Sequence, residues 1–90
     1  MSERERVEIV TRLNIIDRHV RSVMAMVQSG RPEQEILAQL KAIRNGVAAM
    51  QRVLLTFVTE RMLRYAATLP GAERVACVND ILAVRRRFED

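Results

Sequence analysis

Hydrophobic residues recur at steps of three and four positions along most of this chain, which is the spacing of one face of an α-helix. Two short segments, Ser29-Gly30-Arg31-Pro32 and Leu69-Pro70-Gly71, interrupt the pattern with residues that end helices. The pattern therefore predicts an all-α protein of three helices, over about residues 3–28, 32–68 and 72–88, in a single helical domain spanning residues 1–90.

The first predicted helix begins with a capping-box pattern. The hydroxyl of Ser2 can cap the helix while Glu5, three residues later, reaches back to it. The predicted apolar stripe that follows consists of Leu13, Ile16, Val20, Val23 and Val27, with Val10 and Met24 beside it.

The second predicted helix is very long and central. Pro32 suits a first turn, and Glu33 and Glu35 complement the helix dipole there. Within this segment Gly46 is the only residue that could interrupt a helix, and the apolar stripe is broken only at Arg61. The helix is therefore expected to extend for roughly 55 Å at 1.5 Å per residue. Its predicted stripe comprises Ile36, Leu40, Ile43, Val47, Met50, Leu54, Phe57 and Tyr65. The third helix carries Val75, Val78, Ile81, Leu82 and Phe88 and ends in the basic run Arg85-Arg86-Arg87.

The unequal helix lengths predict self-association. The first helix is too short to cover the second, so the last turns of the second helix are expected to be bare. Those turns carry Leu54, Leu55, Phe57, Val58, Met62 and Leu63. An apolar surface of that size favours burial against another copy, so we expect an antiparallel four-helix-bundle dimer, and a tetramer is consistent with the wide apolar arc.

The charge balance favours an anionic partner. The 90 residues include 15 basic and 11 acidic side chains, a net charge of +4, and Lys41 is the only lysine. The planar arginine guanidinium matches phosphate oxygens well, which favours nucleic acid. No apolar run is long enough to span a membrane, so we expect a cytoplasmic protein with double-stranded DNA as a partner. On this chemistry the candidate DNA-binding residues are Arg18, Arg21, Lys41, Arg44 and Arg52.

Residues for other chemistry are few. Cys77 is the only cysteine and lies among apolar residues, which is typical of a small buried side chain, although a reactive or intersubunit thiol remains an alternative. His19 is the only histidine, so no catalytic triad is possible, and its ring is expected to be solvated or hydrogen-bonded. We predict no catalytic residues, no cofactor and no metal.

An ordered series of residues over the first two helices resembles the copper-, nickel- and formaldehyde-responsive repressor family (CsoR/RcnR/FrmR type). The series spans about residues 10–66 and consists of Arg12-Leu13, His19-Val20, Met26-Val27, Glu35-Ile36-Leu37, Gln39 and Ala42-Ile43-Arg44. The resemblance implies a disc-shaped tetramer, built as a dimer of dimers, that binds operator DNA through basic faces and releases it when an effector binds. It also implies that Arg12 occupies a basic position used for DNA, which makes Arg12 the sixth candidate DNA-binding residue.

The positions of the family's metal ligands carry unsuitable residues in this chain. The resemblance places them at Glu33, Val58 and Met62, where the family has Cys, His, and Cys or His. Val58 has no donor atom, Met62 offers a thioether, and Glu33 is a hard oxygen ligand in place of sulfur. Sensing of copper, nickel, cobalt or formaldehyde at this site is therefore not expected.

Two functions follow from these patterns. The first is a DNA-binding transcriptional repressor whose effector is unknown and whose family metal site is lost. The alternative is a relative of that family that acts as a non-sensing helical scaffold or interaction protein. A chorismate-mutase-like helical enzyme could use Arg12, Arg44 and Glu33, but it fits the apolar pattern less well, and we expect no enzymatic activity.

Overall fold

The computed structural model describes residues 1–89 and contains three α-helices, which confirms the all-helical prediction. They are α1 (Glu3–Gln28), α2 (Glu33–Ala66) and α3 (Gly71–Phe88). None of the described residues forms a β-strand. The chain divides into two compact units, and we describe each by itself: the first is Met1–Met50, and the second begins at Gln51 and includes α3.

Both ends of α1 are fixed by local hydrogen bonds. The predicted capping box is present: the Glu5 amide donates to Ser2 Oγ at 3.1 Å, and the Ser2 amide donates to Glu5 Oε1 at 2.7 Å. At the other end Gly30 adopts a φ of 74°, and the amides of Gly30 and Arg31 bond to carbonyls of the last turn. This Schellman motif requires a left-handed residue, which is why glycine ends this helix.

The first unit is a hairpin in which α1 packs along the N-terminal part of α2. A Cβ atom built on Gly46 would lie 3.9 Å from Ile16 Cγ1, so the two helices approach closely at this point. Farther along the contact, His19 Nε2 donates to Gln39 Oε1 at 2.7 Å. His19 is therefore a hydrogen-bonded ring within the helix contact, one of the two states expected from the sequence.

The buried line of α1 differs from the predicted stripe. Ile9 and Val23 are buried and Ile16 is half-buried, whereas Leu13, Val20 and Val27 are 45%, 38% and 57% exposed. Val10 and Met24 are exposed as well. The cause is that α1 carries two neighbouring apolar lines about 100° apart, and within the chain only one is covered. The spacing of apolar residues in the sequence does not distinguish the two lines, so it predicts a single stripe.

In the second unit the C-terminal half of α2 is covered, contrary to the expectation that it is bare. Of the six apolar residues named there, only Leu63 is exposed, at 52%, and the others are half-buried. The reason is that α3 packs on α2 within this unit, whereas the expectation compared the lengths of the first two helices alone. Ala66 and Ile81 are the buried residues of the unit, with 3% and 5% exposure. Tyr65, Val75 and Leu82 remain exposed.

The turn between α2 and α3 is held by an arginine. Arg74 Nε donates to the carbonyl oxygens of Ala66 and Leu69, both at 3.2 Å, and its Nη2 donates to that of Ala67 at 3.3 Å. The last carbonyls of a helix lack intrahelical partners, and a cation is favourable at that end of the dipole. Nearby, Cys77 is half-buried, and its Sγ lies 3.8 Å from the carbonyl oxygen of Met62.

Candidate nucleic-acid interface

Arg12 lies within the helix contact of the first unit. Its side chain is 41% exposed and sits between Ile9 and Ile16 along the covered line of α1. Its Nη2 donates to Glu8 Oε1, one turn earlier, at 3.4 Å. The guanidinium is therefore partly covered and shared with an acid of the same helix.

Arg18 and Arg21 lie on the outer surface of α1. Arg21 is 72% exposed and forms an ion pair with Asp17 at 3.2 Å. Arg18 is exposed and has no ion pair among residues 1–89. At about 100° per residue, both positions point away from the line that contacts α2.

Lys41 and Arg44 are brought together on the exposed surface of α2. With Leu37 and Leu40 they line a shallow hollow of about 290 Å³. Neither cation has an ion pair in the described part of the chain. The structure therefore places two of the six predicted residues beside each other.

Arg52 belongs to the second unit, where it lines another hollow of about 290 Å³ together with Thr56, Thr59 and Arg85. Arg85 donates to Glu89 Oε1 at 2.7 Å, whereas Arg52 has no ion pair within residues 1–89. The basic run Arg85-Arg86-Arg87 occupies the last turn of α3. The six predicted residues did not include this run, although three consecutive arginines are a signal visible in the sequence.

The six predicted DNA-binding residues differ in whether an acidic side chain of the same chain already neutralises their charge. Arg12 and Arg21 are paired with acids four residues earlier on the same helix. Such exposed pairs contribute only about 0.3–0.5 kcal/mol each, so a phosphate group can replace the acid at little cost. The other four have no acidic partner in the described chain, and contact with an external anion would break no ion pair within it.

An apolar surface lies beside these cations in the first unit. Along both helices an exposed apolar residue follows a covered one: Leu13 follows Arg12, Val20 follows His19, and Leu40 follows Gln39. Because antiparallel helices rotate in opposite senses when viewed from one end, this common offset places both exposed lines on the same side of the hairpin. We call this surface the exposed apolar face; it consists of Val10, Leu13, Val20, Met24, Val27, Leu37, Leu40 and Val47.

The residues at the three ligand positions implied by the resemblance have little metal-binding chemistry. Glu33 is exposed in the first turn of α2, and Val58 and Met62 are half-buried in the second unit. Val58 offers only carbon atoms and lines an apolar cavity. Within residues 1–89, His, Cys, Asp and Glu side chains nowhere cluster in threes in an arrangement able to hold a metal ion.

Comparisons with known proteins identify one family. A family model described as "Metal-sensitive transcriptional repressor" matches residues 5–85, which is most of the chain. No curated protein and no solved structure matches. In the described part of the chain, none of the helices combines the length and apolar character needed to cross a membrane.

Proposed function

The chain belongs to the metal-sensitive transcriptional repressor family, and from this premise we propose that it is a DNA-binding repressor that contacts the duplex through exposed arginine and lysine side chains. The family is one of transcriptional regulators, not a class of enzymes. The single observation that carries the DNA-binding proposal is the set of exposed cations without an acidic partner: Arg18, Lys41, Arg44 and Arg52.

These four cations suit phosphate contacts better than base reading. They are spread over the exposed surfaces of α1 and α2, and the sequence shows no helix with evident base-reading side chains. Contacts of this kind fix the register of a protein on DNA, and sequence is then read through the shape and deformability of the duplex. Arg12 and Arg21 would join these contacts by exchanging Glu8 and Asp17 for phosphate.

A symmetric oligomer supplies enough contacts for measurable affinity. One chain offers at most six of the proposed cations, but a dimer or tetramer repeats each patch. We propose that the exposed apolar face is covered by a second copy, because eight large exposed apolar residues on one side of a hairpin are unusual on a monomer. Lys41 and Arg44, which share a hollow with Leu37 and Leu40, would then lie at the edge of this interface and keep their charged ends in solvent. Two hairpins packed face to face give the antiparallel four-helix arrangement of the proposed dimer. Two such dimers would form the proposed tetramer.

The proposed repressor does not sense metal at the family site. Val58 supplies no donor atom, and the remaining pair of a carboxylate and a thioether combines a hard and a soft ligand. Titration with Cu(I), Ni(II) or Co(II) should therefore show no tight stoichiometric binding. Tight binding that is lost in both Glu33→Ala and Met62→Ala would contradict this part of the proposal.

The DNA proposal is tested by a mobility-shift assay with DNA from the protein's own promoter. Because about six to ten phosphates are expected to be neutralised per oligomer, affinity should fall by roughly 10³-fold or more between 50 and 200 mM salt. Arg18→Ala and Arg44→Ala should each weaken binding and reduce the salt slope by about one for each phosphate that is no longer neutralised. Arg31→Ala is a matched control, because Arg31 is exposed but is not among the proposed residues and is paired with Glu35 at 2.7 Å.

A helical scaffold is the second candidate. It is favoured by the spread of the six cations over α1 and α2 and over both compact units. If the purified oligomer fails to shift its promoter DNA even at low salt, the repressor proposal is wrong and the scaffold takes its place.

A further inference from the structure

The second unit brings two arginines from different helices to one open polar hollow. It is lined by Arg52, Leu55, Thr56 and Thr59 of α2 and by Arg85 and Glu89 at the end of α3. Steps of four and three residues lead from Arg52 to Thr56 and Thr59, so these three side chains share one face of α2. Both threonine hydroxyls already donate to backbone carbonyl oxygens of the preceding turn, each at 3.0 Å. The two guanidinium groups are therefore the donors through which this hollow would hold an anion.

A carboxylate of the chain itself already lies in this hollow. Arg85 Nη2 donates to Glu89 Oε1 at 2.7 Å, and the two side chains are 54% and 56% exposed. Arg52 has no ion pair within residues 1–89, so two cations face one acid and the hollow keeps an excess of positive charge. An exposed pair of this kind contributes little to stability. An external oxyanion that binds both arginines can therefore displace Glu89.

The three arginines at the end of α3 point in different directions. Arg85 lies beside the residues of α3 that pack on α2, whereas Arg86, at about 100° farther round the helix, is directed away from α2. Arg87 lies on the opposite side of α3 from Arg85, and its Cζ atom is 5.1 Å from the centre of the Phe88 ring. All three are favourable at the C-terminal end of a helix dipole. Arg85 is the one that the structure places beside Arg52.

We propose that Arg52 and Arg85 form a clamp for one phosphate group of the DNA backbone, which makes Arg85 a DNA contact outside α1 and α2. A guanidinium plane offers paired N–H donors to phosphate oxygens, and two arginines can hold one phosphate from two sides. A free anion would be weakly held here, because both arginines are exposed. A duplex is bound at the same time by cations elsewhere on the protein, which strengthens each single contact. This inference rests on the proposed repressor function.

The clamp is tested by the salt dependence of binding to promoter DNA. Loss of one phosphate contact should reduce the slope of log affinity against log salt by about one. For each such contact, Arg85→Ala should weaken binding about tenfold at 50 mM salt and about fourfold at 200 mM salt. Arg52→Ala should have a similar effect. The double variant should lose less affinity than the product of the two single losses, because both arginines hold the same phosphate.

Arg87→Ala is the matched control for Arg85→Ala. It removes the same charge from the same turn of α3, and with it the same kind of favourable contact with the helix dipole. It should keep the salt slope of the wild type, and both variants should keep the oligomer mass of the wild type in light scattering. Arg85→Lys should recover part of the lost affinity, because an ammonium group keeps the charge but lacks the planar fork. Equal losses for Arg85→Ala and Arg87→Ala would overturn the clamp, since net charge alone would then explain them.

Glu89→Gln tests the same hollow through a gain of binding. Without the carboxylate, Arg85 is released from its partner within the chain, and DNA affinity should rise by about two- to fivefold at low salt. The gain should disappear when Arg85→Ala is added. Glu73→Gln is the control, because it removes one acid from the first turn of the same helix, and it should have a smaller effect. No gain for Glu89→Gln, or equal gains for both variants, would overturn the clamp.

Failure of the clamp and failure of the repressor proposal give different results. If the wild type does not shift promoter DNA even at low salt, the repressor proposal is wrong and the clamp is wrong with it. If the wild type shifts its DNA and Arg85→Ala keeps the same salt slope, the clamp alone is wrong. Saturable changes of the Arg52 and Arg85 side-chain NMR signals with inorganic phosphate, combined with unchanged DNA affinity of Arg85→Ala, would assign the hollow to a free anion instead.

Discussion

The two compact units cover their apolar residues to different extents. In the first unit, α1 and α2 each bury one line of residues and leave a second line exposed on the same side of the hairpin. In the second unit, α3 half-buries five of the six apolar residues named on the last turns of α2, and a cavity remains beside its last turn. The first unit therefore leaves a line of large apolar residues exposed on one side, and the second leaves an open apolar hollow beside the end of α3.

This contrast separates the proposed interface and most of the proposed DNA contacts from the apolar hollow along the chain. The exposed apolar face lies within residues 1–50, together with five of the six proposed DNA-contacting residues. The apolar cavity and the basic run of α3 lie in the second unit. Substitutions in the first unit should thus act on oligomeric state and DNA affinity, and substitutions where α3 packs on α2 should act on stability.

The largest expected effect is on assembly through the first unit. Leu13→Glu places a carboxylate in the middle of the exposed apolar face, where burial of an unpaired charge costs several kcal/mol. The variant should be monomeric at micromolar concentration, a loss of at least 100-fold in association, when examined by light scattering or sedimentation.

Ile15→Glu is the matched control for this substitution. Ile15 is 54% exposed and Leu13 is 45% exposed, but the two positions point to different sides of α1. Ile15→Glu should keep the oligomeric state of the wild type. A monomeric wild-type protein, or equal dissociation of both variants, would show that the exposed apolar face is not the interface.

The helix pattern was predictable from the sequence, because steps of three and four residues and the signals at Ser2, Gly30 and Pro70 are local. The sequence did not show which of the apolar residues are buried. Leu13 and Ile16 fit the same stripe on a helical wheel, and only the angle at which α2 meets α1 decides which of them is covered. Adjacent apolar lines look like one wide stripe until a packing partner is placed.

The sequence indicated which residues could form the candidate site, but not how those residues are arranged. The surplus of arginine indicated an anionic partner, but the sequence did not show that Arg12 is partly covered beside α2 or that Lys41 and Arg44 share a hollow. The role of Arg74 was missed as well. Its three carbonyl partners lie five to eight residues earlier, across a turn whose geometry the pattern of apolar residues does not specify.

The next largest effect is expected for Arg74, whose substitution should lower the stability of the second unit. Arg74→Ala leaves the carbonyl oxygens of Ala66, Ala67 and Leu69 without the guanidinium, so the free energy of unfolding should fall by about 1–2 kcal/mol, measured by urea denaturation at fixed protein concentration. DNA affinity at a temperature where the protein stays folded should be unchanged. Arg74→Lys should recover only part of the loss, because an ammonium group lacks the planar fork. A stability equal to that of the wild type would contradict this assignment.

Two glycines of the first unit should respond to alanine in opposite directions. Gly30 has a φ of 74° and Gly30→Ala should destabilise the protein by about 1 kcal/mol, because a Cβ atom is disfavoured in the left-handed region. Gly46 is inside α2, where a Cβ atom would lie 3.9 Å from Ile16 Cγ1, an ordinary contact. Gly46→Ala should therefore stabilise by roughly 0.5–1 kcal/mol through helix propensity. Thermal denaturation of both variants measures the difference, and a loss of stability for Gly46→Ala would mean that the helices approach more closely than described.

The smallest expected effect is that of the hydrogen bond between His19 and Gln39 in the helix contact of the first unit. The bond joins α1 to α2 at 2.7 Å, and both groups are half-buried. A double-mutant cycle with His19→Ala and Gln39→Ala should give a coupling energy of about 0.5–1.5 kcal/mol, since each single variant leaves the other group without its partner. His19→Ala alone should leave the oligomeric state unchanged, because the ring lies on the covered line and not on the exposed apolar face. A coupling energy near zero would show that water replaces the bond without loss, and the order of the first unit would then depend on apolar packing alone.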